Sequence, residues 1–342
     1  QRGRTRGRKL YTYDGDVTYA QDHMPVAEQR EAVGHAVRAL YLYSGMADVA
    51  ALTGNADYWR ALDHLWGSIV GGKIYVTGGL GAAGDNEAFG PPFDLPNITA
   101  YSETCAGVAN VFFNQRMFLA HGDARYIDVL ERTLYNAVLA GVSLSGDRFF
   151  YDNPLASCRR HERAGWFGCS CCPPNVARLL ASLSGYVYAT RGDELFVNLF
   201  VGSTARTTVA GTPVVVTQKS DYPWGGTGAI TLEPEREVEA SLRVRVPGWA
   251  LDRADHGGLY RFGEPSPAAP RLAINGAAAA MTVDDAGYAT VRRTWRAGDR
   301  VELELPMAVR TVVARPEVLG AAGRFALQRG PLVYAAEGPD NG

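Results

Sequence analysis

The hydrophobic period of the sequence changes near residue 190, and this change limits the possible fold more than any other feature. Before it, apolar residues recur at the spacing of an α-helix, and one such stripe is formed by Val33, Val37, Leu40 and Tyr41. After it, apolar and charged residues alternate as in a strand, in the segments 242–246 and 301–305. The sequence therefore predicts a helical region followed by a β region.

The helical region holds five predicted helices, at 26–43, 56–70, 104–120, 123–139 and 175–190. Gly122 suits the residue after a helix end, and Asp123 suits the N-cap of the next helix. In the β region, Asn275 and Gly276 form a typical hairpin turn, and short strands with frequent glycine and proline favour an antiparallel β-sandwich. We expect a helical domain over residues 1–190 and a β-sandwich over residues 191–342.

Composition narrows the function classes. The 342 residues are 46% hydrophobic and carry a formal net charge of −2, so a large core is expected and nothing favours nucleic acid or an anionic membrane as partner. No apolar run is long enough to span a bilayer. The basic segment 1–9 lacks the apolar stretch of a signal peptide and predicts a solvated loop.

The two ends of the sequence predict that the chain is truncated. It starts at Gln1 without methionine, and it stops in the turn-rich stretch 338–342 directly after an apolar strand. A bacterial cytoplasmic location is the expectation, with a signal peptide left open.

Five cysteines, an odd number, lie at 105, 158, 169, 171 and 172, which does not indicate a disulfide framework. They form the motifs Glu103-Thr104-Cys105 and Cys169-Ser170-Cys171-Cys172-Pro173-Pro174-Asn175. Zinc accepts thiolate and carboxylate ligands, so these motifs predict a metal site if Cys171 and Cys172 share a turn that the prolines keep non-helical. Buried, reduced thiols remain the alternative at this point.

Three further residues are candidates for a site. Glu87 lies in the glycine-flanked loop 84–90, where a solvated carboxylate is the simpler interpretation. His35 lies on the first apolar stripe, and Tyr151 follows two phenylalanines, so a core histidine and a core aromatic are the alternatives.

At these residues the chain resembles glycoside hydrolase family 127, the β-L-arabinofuranosidases. The resemblance extends in order over nearly the whole chain, and its most specific motifs are 101–106 (YSETCA) and 166–175 (WFGCSCCPPN). Supporting segments are 34–39, 75–79, 94–97, 134–136 and 329–334.

The resemblance implies a fold, a metal and a set of roles. The fold is an (α/α)6 barrel followed by an antiparallel β-sandwich, and Zn²⁺ is bound by Glu103, Cys105, Cys171 and Cys172. Cys171 is the nucleophile and Glu87 the general acid/base, while His35 and Tyr151 contact the sugar. The barrel needs twelve helices, and the sequence predicts about half that number, so residues 1–190 correspond to its C-terminal half.

The expected function is therefore a zinc-dependent retaining glycosidase that releases β-L-arabinofuranose from an oligosaccharide or a glycoprotein glycan. The alternatives are a related hydrolase for another sugar and a zinc-stapled carbohydrate-binding protein without activity. A redox protein is disfavoured because CxxC-type redox motifs accompany a βαβ pattern that this sequence lacks. The glycan, its linkage and the oligomeric state stay open, a homodimer among the states considered.

Overall fold

The computed structural model describes residues 15–157 and 161–336. Cys158, the basic segment 1–9 and the stretch 338–342 lie outside the described residues. Helices come first, and within the described residues the α-helices are α1 Ala36–Thr53, α2 Ala56–Gly72, α3 Thr104–His121, α4 Ala124–Thr133 and α5 Cys172–Ser182. In the described part of the chain no helix is long and apolar enough to cross a membrane.

Local capping explains where the middle helices begin and end. The Asn55 side chain accepts the N–H groups of Asp57 and Tyr58 at the start of α2. Gly122 ends α3 in the left-handed conformation, at φ 67°, and Asp123 then caps α4 by accepting from Arg125 N. These helices confirm the predicted spans 56–70 and 104–120 and both predicted caps.

The other three predicted helices differ from the observed ones. The first begins at Ala36, not at Val26, because His35 is its N-cap, and residues 26–28 form only a short 3-10 turn. After α4 the chain continues as a π-helical turn over Leu134–Val138. The fifth helix runs over Cys172–Ser182, and the segment beyond Tyr186 is already a strand.

The predicted non-helical backbone at the double proline is wrong. Pro173 and Pro174 lie in the first turn of α5, where the missing proline N–H groups would have no helical partner in any case. Cys171 is the N-cap and Cys172 the first helical residue, so the two thiols project from a helix start.

After α5, the described residues form mainly short strands. They are β1 Tyr188–Arg191, β2 Glu194–Val197, β3 Ser203–Val209, β4 Thr212–Ser220, β5 Thr227–Pro234, β6 Val238–Arg245, β7 Tyr260–Phe262, β8 Arg271–Ile274, β9 Ala277–Ala279, β10 Tyr288–Trp295, β11 Asp299–Glu304, β12 Val309–Ala314, β13 Ala326–Arg329 and β14 Leu332–Tyr334.

Within residues 15–157 and 161–336 these strands form three sheets, ordered β1-β2-β6-β10, β3-β4-β5-β11-β8-β9 and β14-β13-β12-β7. The first two sheets share a core that includes Val197, Val216, Leu242, Trp295 and Val301. All pairs are antiparallel except β2 with β6, which is a departure from the predicted antiparallel sandwich. The predicted hairpin turn is confirmed: Asn275 and Gly276 both have positive φ and join β8 to β9.

The order of helices followed by strands is thus as predicted. The structure changes from a helical turn ending at Tyr186 to a strand beginning at Tyr188, and the assignment of separate domains at residue 190 stays a prediction. Helical and strand regions are bonded to each other through Asn136, which donates to Pro331 O at 2.9 Å and accepts from Val333 N at 2.8 Å. Two segments of the family resemblance, 134–136 and 329–334, are therefore joined by hydrogen bonds.

Candidate active site

Helix starts bring the four predicted metal ligands together. Glu103 is the N-cap of α3 and Cys105 lies in its first turn, while Cys171 and Cys172 open α5. One ligand atom from each of the four residues lies within 4.8 Å of every other, and no disulfide joins them. The sequence separation of 67 residues between Cys105 and Cys172 shows that packing of α3 against α5 builds the cluster.

The distances within this cluster suit a tetrahedral metal. The Cys105 and Cys172 sulfurs lie 3.4 Å apart, and those of Cys171 and Cys172 lie 3.8 Å apart. Glu103 Oε1 lies 3.4 Å from Cys171 Sγ and 3.6 Å from Cys172 Sγ. Sulfur at about 2.3 Å and oxygen at about 2.0 Å from a tetrahedral zinc ion would lie roughly 3.5–3.8 Å from one another.

The electrostatics of the cluster also favour a bound cation. Glu103 Oε2 is buried without a hydrogen-bond partner. Burial, and then the neighbouring Cys171 thiolate, raise the pKa of Glu103 to about 9. Hydrogen bonds with Cys105 and Cys172 hold the pKa of Cys171 far below its usual range. Contact with Cys171 raises the pKa of Cys105, and contacts with Cys105 and then with Cys171 raise the pKa of Cys172. Only a nearby positive charge would let all four groups ionise together, so this set of donors could hold a metal ion.

Solvent reaches only part of the cluster. Cys105 is 1% exposed and Cys172 is fully buried, whereas Cys171 is half-buried and faces the open side. The Tyr151 hydroxyl lies 3.9 Å from the exposed sulfur of Cys169, two residues before Cys171. Cys171 is thus the one clustered thiol that a substrate can approach.

Glu87 lies on the open side of the cluster, in a strained loop. Asn86 and Glu87 have φ values of 57° and 51°, a left-handed conformation that is uncommon without glycine and clusters at functional sites. The loop is tied down by Asn86, whose amide donates to Asp16 at 3.3 Å, and by mutual backbone bonds between Ala83 and Ala88. The Glu87 side chain keeps 31% of its surface exposed.

His35 joins this loop to the helical core. Its Nε2 lies 2.9 Å from Glu87 Oε2, and its Nδ1 accepts from Arg38 N at the start of α1. This pairing suits the tautomer with the proton on Nε2. A ring nitrogen of His35 lies within 4.8 Å of carboxylate oxygens of Glu87 and Glu103, which lie equally close to each other. Because Glu103 also belongs to the thiol cluster, the pair of Glu87 and His35 borders that cluster.

One glycine explains how the segment before Glu103 packs so closely. A Cβ on Gly79 would lie 2.2 Å from Ser102 Oγ, and Ser102 itself has φ 43°. Gly79, in the 75–79 segment of the family resemblance, is thus needed for close packing against the residue before the start of α3.

The structure brings together all seven predicted site residues and adds others that the sequence reasoning missed. Tyr101 packs edge-on against Tyr151, with ring centroids 6.2 Å apart. Asn175, at the end of the double-proline motif, accepts from the Tyr41 hydroxyl at 2.9 Å, and its backbone N–H donates to Cys171 O at 3.2 Å. Both belong to the motifs that carry the resemblance, which was the signal that could have identified them.

Fold and site together define a class: a helical unit followed by β-sheets, with the carboxyl group of Glu87 beside a cluster of thiols in which Cys171 is half-buried. The sequence matches three family profiles in succession. These are "Beta-L-arabinofuranosidase, GH127 catalytic domain" over residues 4–185, "Beta-L-arabinofuranosidase, GH127 middle domain" over 194–307 and "Glycoside hydrolase family 127 C-terminal domain" over 309–342. The chain belongs to glycoside hydrolase family 127.

Known relatives agree with this assignment. A non-reducing end beta-L-arabinofuranosidase of Bifidobacterium longum subsp. longum is 38% identical over 95% of this chain and 49% of its own length. A solved GH127 beta-arabinofuranosidase is 48% identical, with a TM-score of 0.92 over 94% of this chain and 51% of that one. A GH127 beta-L-arabinofuranosidase from Geobacillus stearothermophilus T6 is 43% identical, with a TM-score of 0.86 over 95% of this chain and 51% of that one. The chain spans about half the length of these relatives.

Proposed function

We propose that the protein is a retaining glycosidase that releases terminal β-L-arabinofuranose from an oligosaccharide or glycoprotein glycan. The observation that carries this proposal is the pairing of an accessible clustered thiol, Cys171, with a loop carboxyl group, Glu87, across one small site. The relatives' names support the choice of sugar. We also propose that the five α-helices of the described residues belong to an (α/α)6 barrel, because the chain is a member of glycoside hydrolase family 127.

We assign Zn²⁺ to the cluster of Glu103, Cys105, Cys171 and Cys172. Three thiolates and one carboxylate suit zinc better than magnesium or calcium, which prefer oxygen ligands. When bound, zinc would keep the cysteine thiols deprotonated at neutral pH.

In the mechanism we propose, Cys171 takes the place of the nucleophilic carboxylate of most retaining glycosidases. Its sulfur attacks the anomeric carbon and forms a carbon–sulfur bond, while Glu87 donates a proton to the departing glycosidic oxygen. Glu87 then removes a proton from the water that cleaves the sugar–cysteine intermediate, which restores the thiolate and the acid. The configuration of the released sugar is retained.

His35 and Tyr151 complete the proposed site. Both lie where a sugar bound at Cys171 would meet them, and buried polar groups left unpaired by a wrong sugar would be costly. His35 also holds Glu87 through its 2.9 Å contact, so it serves the acid/base as well as the sugar.

A substrate panel tests the proposal in the natural full-length protein. We expect hydrolysis of nitrophenyl β-L-arabinofuranoside and little or none of the α-anomer or of pyranosides. Glu87→Gln should slow natural disaccharides strongly and nitrophenyl glycosides less, because a good leaving group needs no proton. Preference for another sugar would overturn the substrate assignment, and no hydrolysis of any glycoside would favour a carbohydrate-binding protein.

A further inference from the structure

We infer that Asp16 is a positioning residue for the acid/base Glu87 and that it acts through the side chain of Asn86. The inference rests on the role of Glu87 in the proposed function and deepens it. The strain in the loop of residues 84–90 is what makes such a support necessary.

The turn that carries Glu87 is strained and needs support from outside. Asn86 and Glu87 are consecutive residues with left-handed backbones, at φ 57° and 51°, and such strain persists only where the surroundings fix it. Backbone bonds close the base of the loop, where Ala83 and Ala88 exchange N–H···O bonds of 3.1 Å. At the tip, the Asn86 side chain donates to Asp16 Oδ2 at 3.3 Å, which anchors the tip to a segment 70 residues earlier in the chain.

Asp16 is oriented by its own hydrogen bonds. Its Oδ1 accepts from the backbone N–H and from the hydroxyl of Thr18, both at 2.7 Å, and its Oδ2 faces Asn86. The bond from the Thr18 hydroxyl is the main reason that the pKa of Asp16 lies below its ordinary value, so the group is ionised at neutral pH. An ionised carboxylate only accepts hydrogen bonds, so it must face the amide nitrogen of Asn86 and not the amide oxygen.

The segment that holds Asp16 is fixed to the residues just before α1. Gln21 is 5% exposed, and its side chain donates to Val33 O at 2.6 Å. The Tyr19 ring packs edge-on against the His35 imidazole, with ring centroids 5.1 Å apart. These two contacts set the position of Asp16 relative to His35.

Glu87 is therefore held from two sides. His35 Nε2 lies 2.9 Å from Glu87 Oε2 and holds the carboxyl group itself. Asp16 holds the neighbouring Asn86, and with it the backbone that carries the carboxyl group. Without the contact to Asp16 the strained tip would relax and Glu87 would shift, while the thiol cluster at the starts of α3 and α5 would stay in place.

A charge swap in the natural full-length protein tests this inference. Asn86→Asp keeps a residue type that tolerates a left-handed backbone, but it sets a second carboxylate against Asp16, so the hydrogen bond is lost. Adding Asp16→Asn restores one donor and one acceptor in reversed order. The measured quantity is kcat/KM, which covers the steps up to departure of the leaving group, for a β-L-arabinofuranosyl disaccharide and for nitrophenyl β-L-arabinofuranoside.

We expect Asn86→Asp to lower kcat/KM by about 10- to 100-fold for the disaccharide, because the acid is misplaced. The loss should be less than about threefold for the nitrophenyl glycoside, whose leaving group needs no proton. The double variant should recover most of the activity toward the disaccharide. Asp16→Ala should repeat the pattern of Asn86→Asp without adding a charge near Glu87, and zinc content should stay unchanged in all variants.

Asp85→Asn is the matched control, because it changes the charge of an exposed residue in the same turn and should behave like wild type. Equal losses on both substrates in Asn86→Asp would indicate general damage to the loop and would overturn the inference. So would a double variant that recovers nothing, since its net charge equals that of wild type. Should Asn86→Asp fail to fold, Asp16→Ala on the same two substrates decides the matter.

Glu87→Gln separates this inference from the proposed function. Selective loss on the disaccharide in both Glu87→Gln and Asn86→Asp would support both. Selective loss in Glu87→Gln, with wild-type rates in Asn86→Asp and Asp16→Ala, would overturn the role of Asp16 alone. Equal loss on both substrates in Glu87→Gln would overturn the acid role of Glu87, and the role of Asp16 with it.

Discussion

Glu103 and the three clustered cysteines are all weak acids that lie close together, and they differ in how deeply they are buried. Glu103 Oε1 lies within 3.6 Å of two sulfurs, and its other oxygen has no partner. Cys105 and Cys172 are closed off from solvent, while Cys171 is open to it. A metal bound here would therefore be held by the buried members and approached by substrate beside the open one.

Removing one buried thiol should release the metal. We expect Cys105→Ser to lose zinc and, with it, thermal stability, because metal binding to a folded site contributes to the free energy of folding. Cys169→Ser is the matched control, since Cys169 is exposed and outside the four-residue cluster. Zinc content by atomic emission and melting temperature are the measurements. Equal zinc in Cys105→Ser and wild type would contradict the ligand assignment.

The two contacts of His35 can be separated by substitution. His35→Asn keeps an N-cap acceptor for α1 but is too short to hold Glu87, whereas His35→Ala removes both contacts. Both variants should lose about 10- to 100-fold in kcat/KM, because a misplaced acid/base is costly. Only His35→Ala should also lose about 1 kcal/mol of unfolding free energy.

Zinc content should stay unchanged in both variants. Activity and chemical denaturation of the same preparations are the measurements. Wild-type activity in His35→Asn would mean that His35 serves only as a helix cap.

At the scale of elements, the loop carrying Glu87 depends on close backbone contact with the segment before α1. Phe89 N donates to Gly34 O at 2.9 Å, and residues 35 and 88 form a bridge. Gly34 has φ 71°, and a Cβ there would lie 2.1 Å from Thr18 O. The backbone position of Gly34 is therefore tied to the position of the acid/base loop.

We expect Gly34→Ala to cost about 3 kcal/mol or more in unfolding free energy, because strain and a backbone clash add together. Activity should fall with it. Gly54→Ala is the matched control: its φ is 68°, but its Cβ would meet nothing within 4 Å, so about 1–2 kcal/mol is expected from strain alone. Equal destabilisation of the two variants, by chemical denaturation, would contradict the importance of the contact with Thr18.

The ends of helices were predictable from the sequence where a capping residue gives a local signal. Asn55, Gly122 and Asp123 give cap signals that stand in the sequence itself. The spans of α2 and α3 and the start of α4 were predicted within two residues, whereas α4 ends six residues before the predicted end at 139. The helix starts at His35 and Cys171 were missed because a histidine or cysteine N-cap is not a usual signal. Their positions depend on contacts with distant parts of the chain.

At the scale of the whole molecule, a buried ion network joins α4 to the first sheet. Arg245 is fully buried; it donates to Asp128 at 2.6 Å and to Asn198 O at 2.6 Å, and it pairs with Glu131. Asp128 also bonds to His256 at 2.8 Å. Because these charges have little access to solvent, each depends on its partners.

We expect Arg245→Leu to lower the unfolding free energy by about 3–5 kcal/mol, since it leaves two buried carboxylates without their cation. Adding Glu131→Leu should restore part of that loss by removing one stranded charge. Denaturant unfolding is the measurement, and zinc content of any folded variant should be unchanged. A smaller loss for Arg245→Leu than for the double variant would contradict the network as described.

Contacts between residues so far apart in the sequence cannot be predicted from the sequence alone. The period change near residue 190 and the motifs around Glu103 and Cys171 predicted the order of helices and sheets and the membership of the cluster. The sequence holds no sign that Arg245 pairs with Glu131, 114 residues away, or that Tyr41 reaches Asn175, 134 residues away. Such pairs follow only from the packing of elements, which the local period does not specify.

In the mechanism that we propose, Cys171 attacks the sugar and Glu87 serves as the acid/base. Its most direct test is to trap the intermediate in the natural full-length protein with a mechanism-based β-L-arabinofuranosyl inhibitor, and to locate the label by peptide mass spectrometry. We expect a label on Cys171, none in Cys171→Ser, and release of β-L-arabinose as the first product by NMR. A label on Glu87 or Glu103, or release of the inverted sugar, would contradict it.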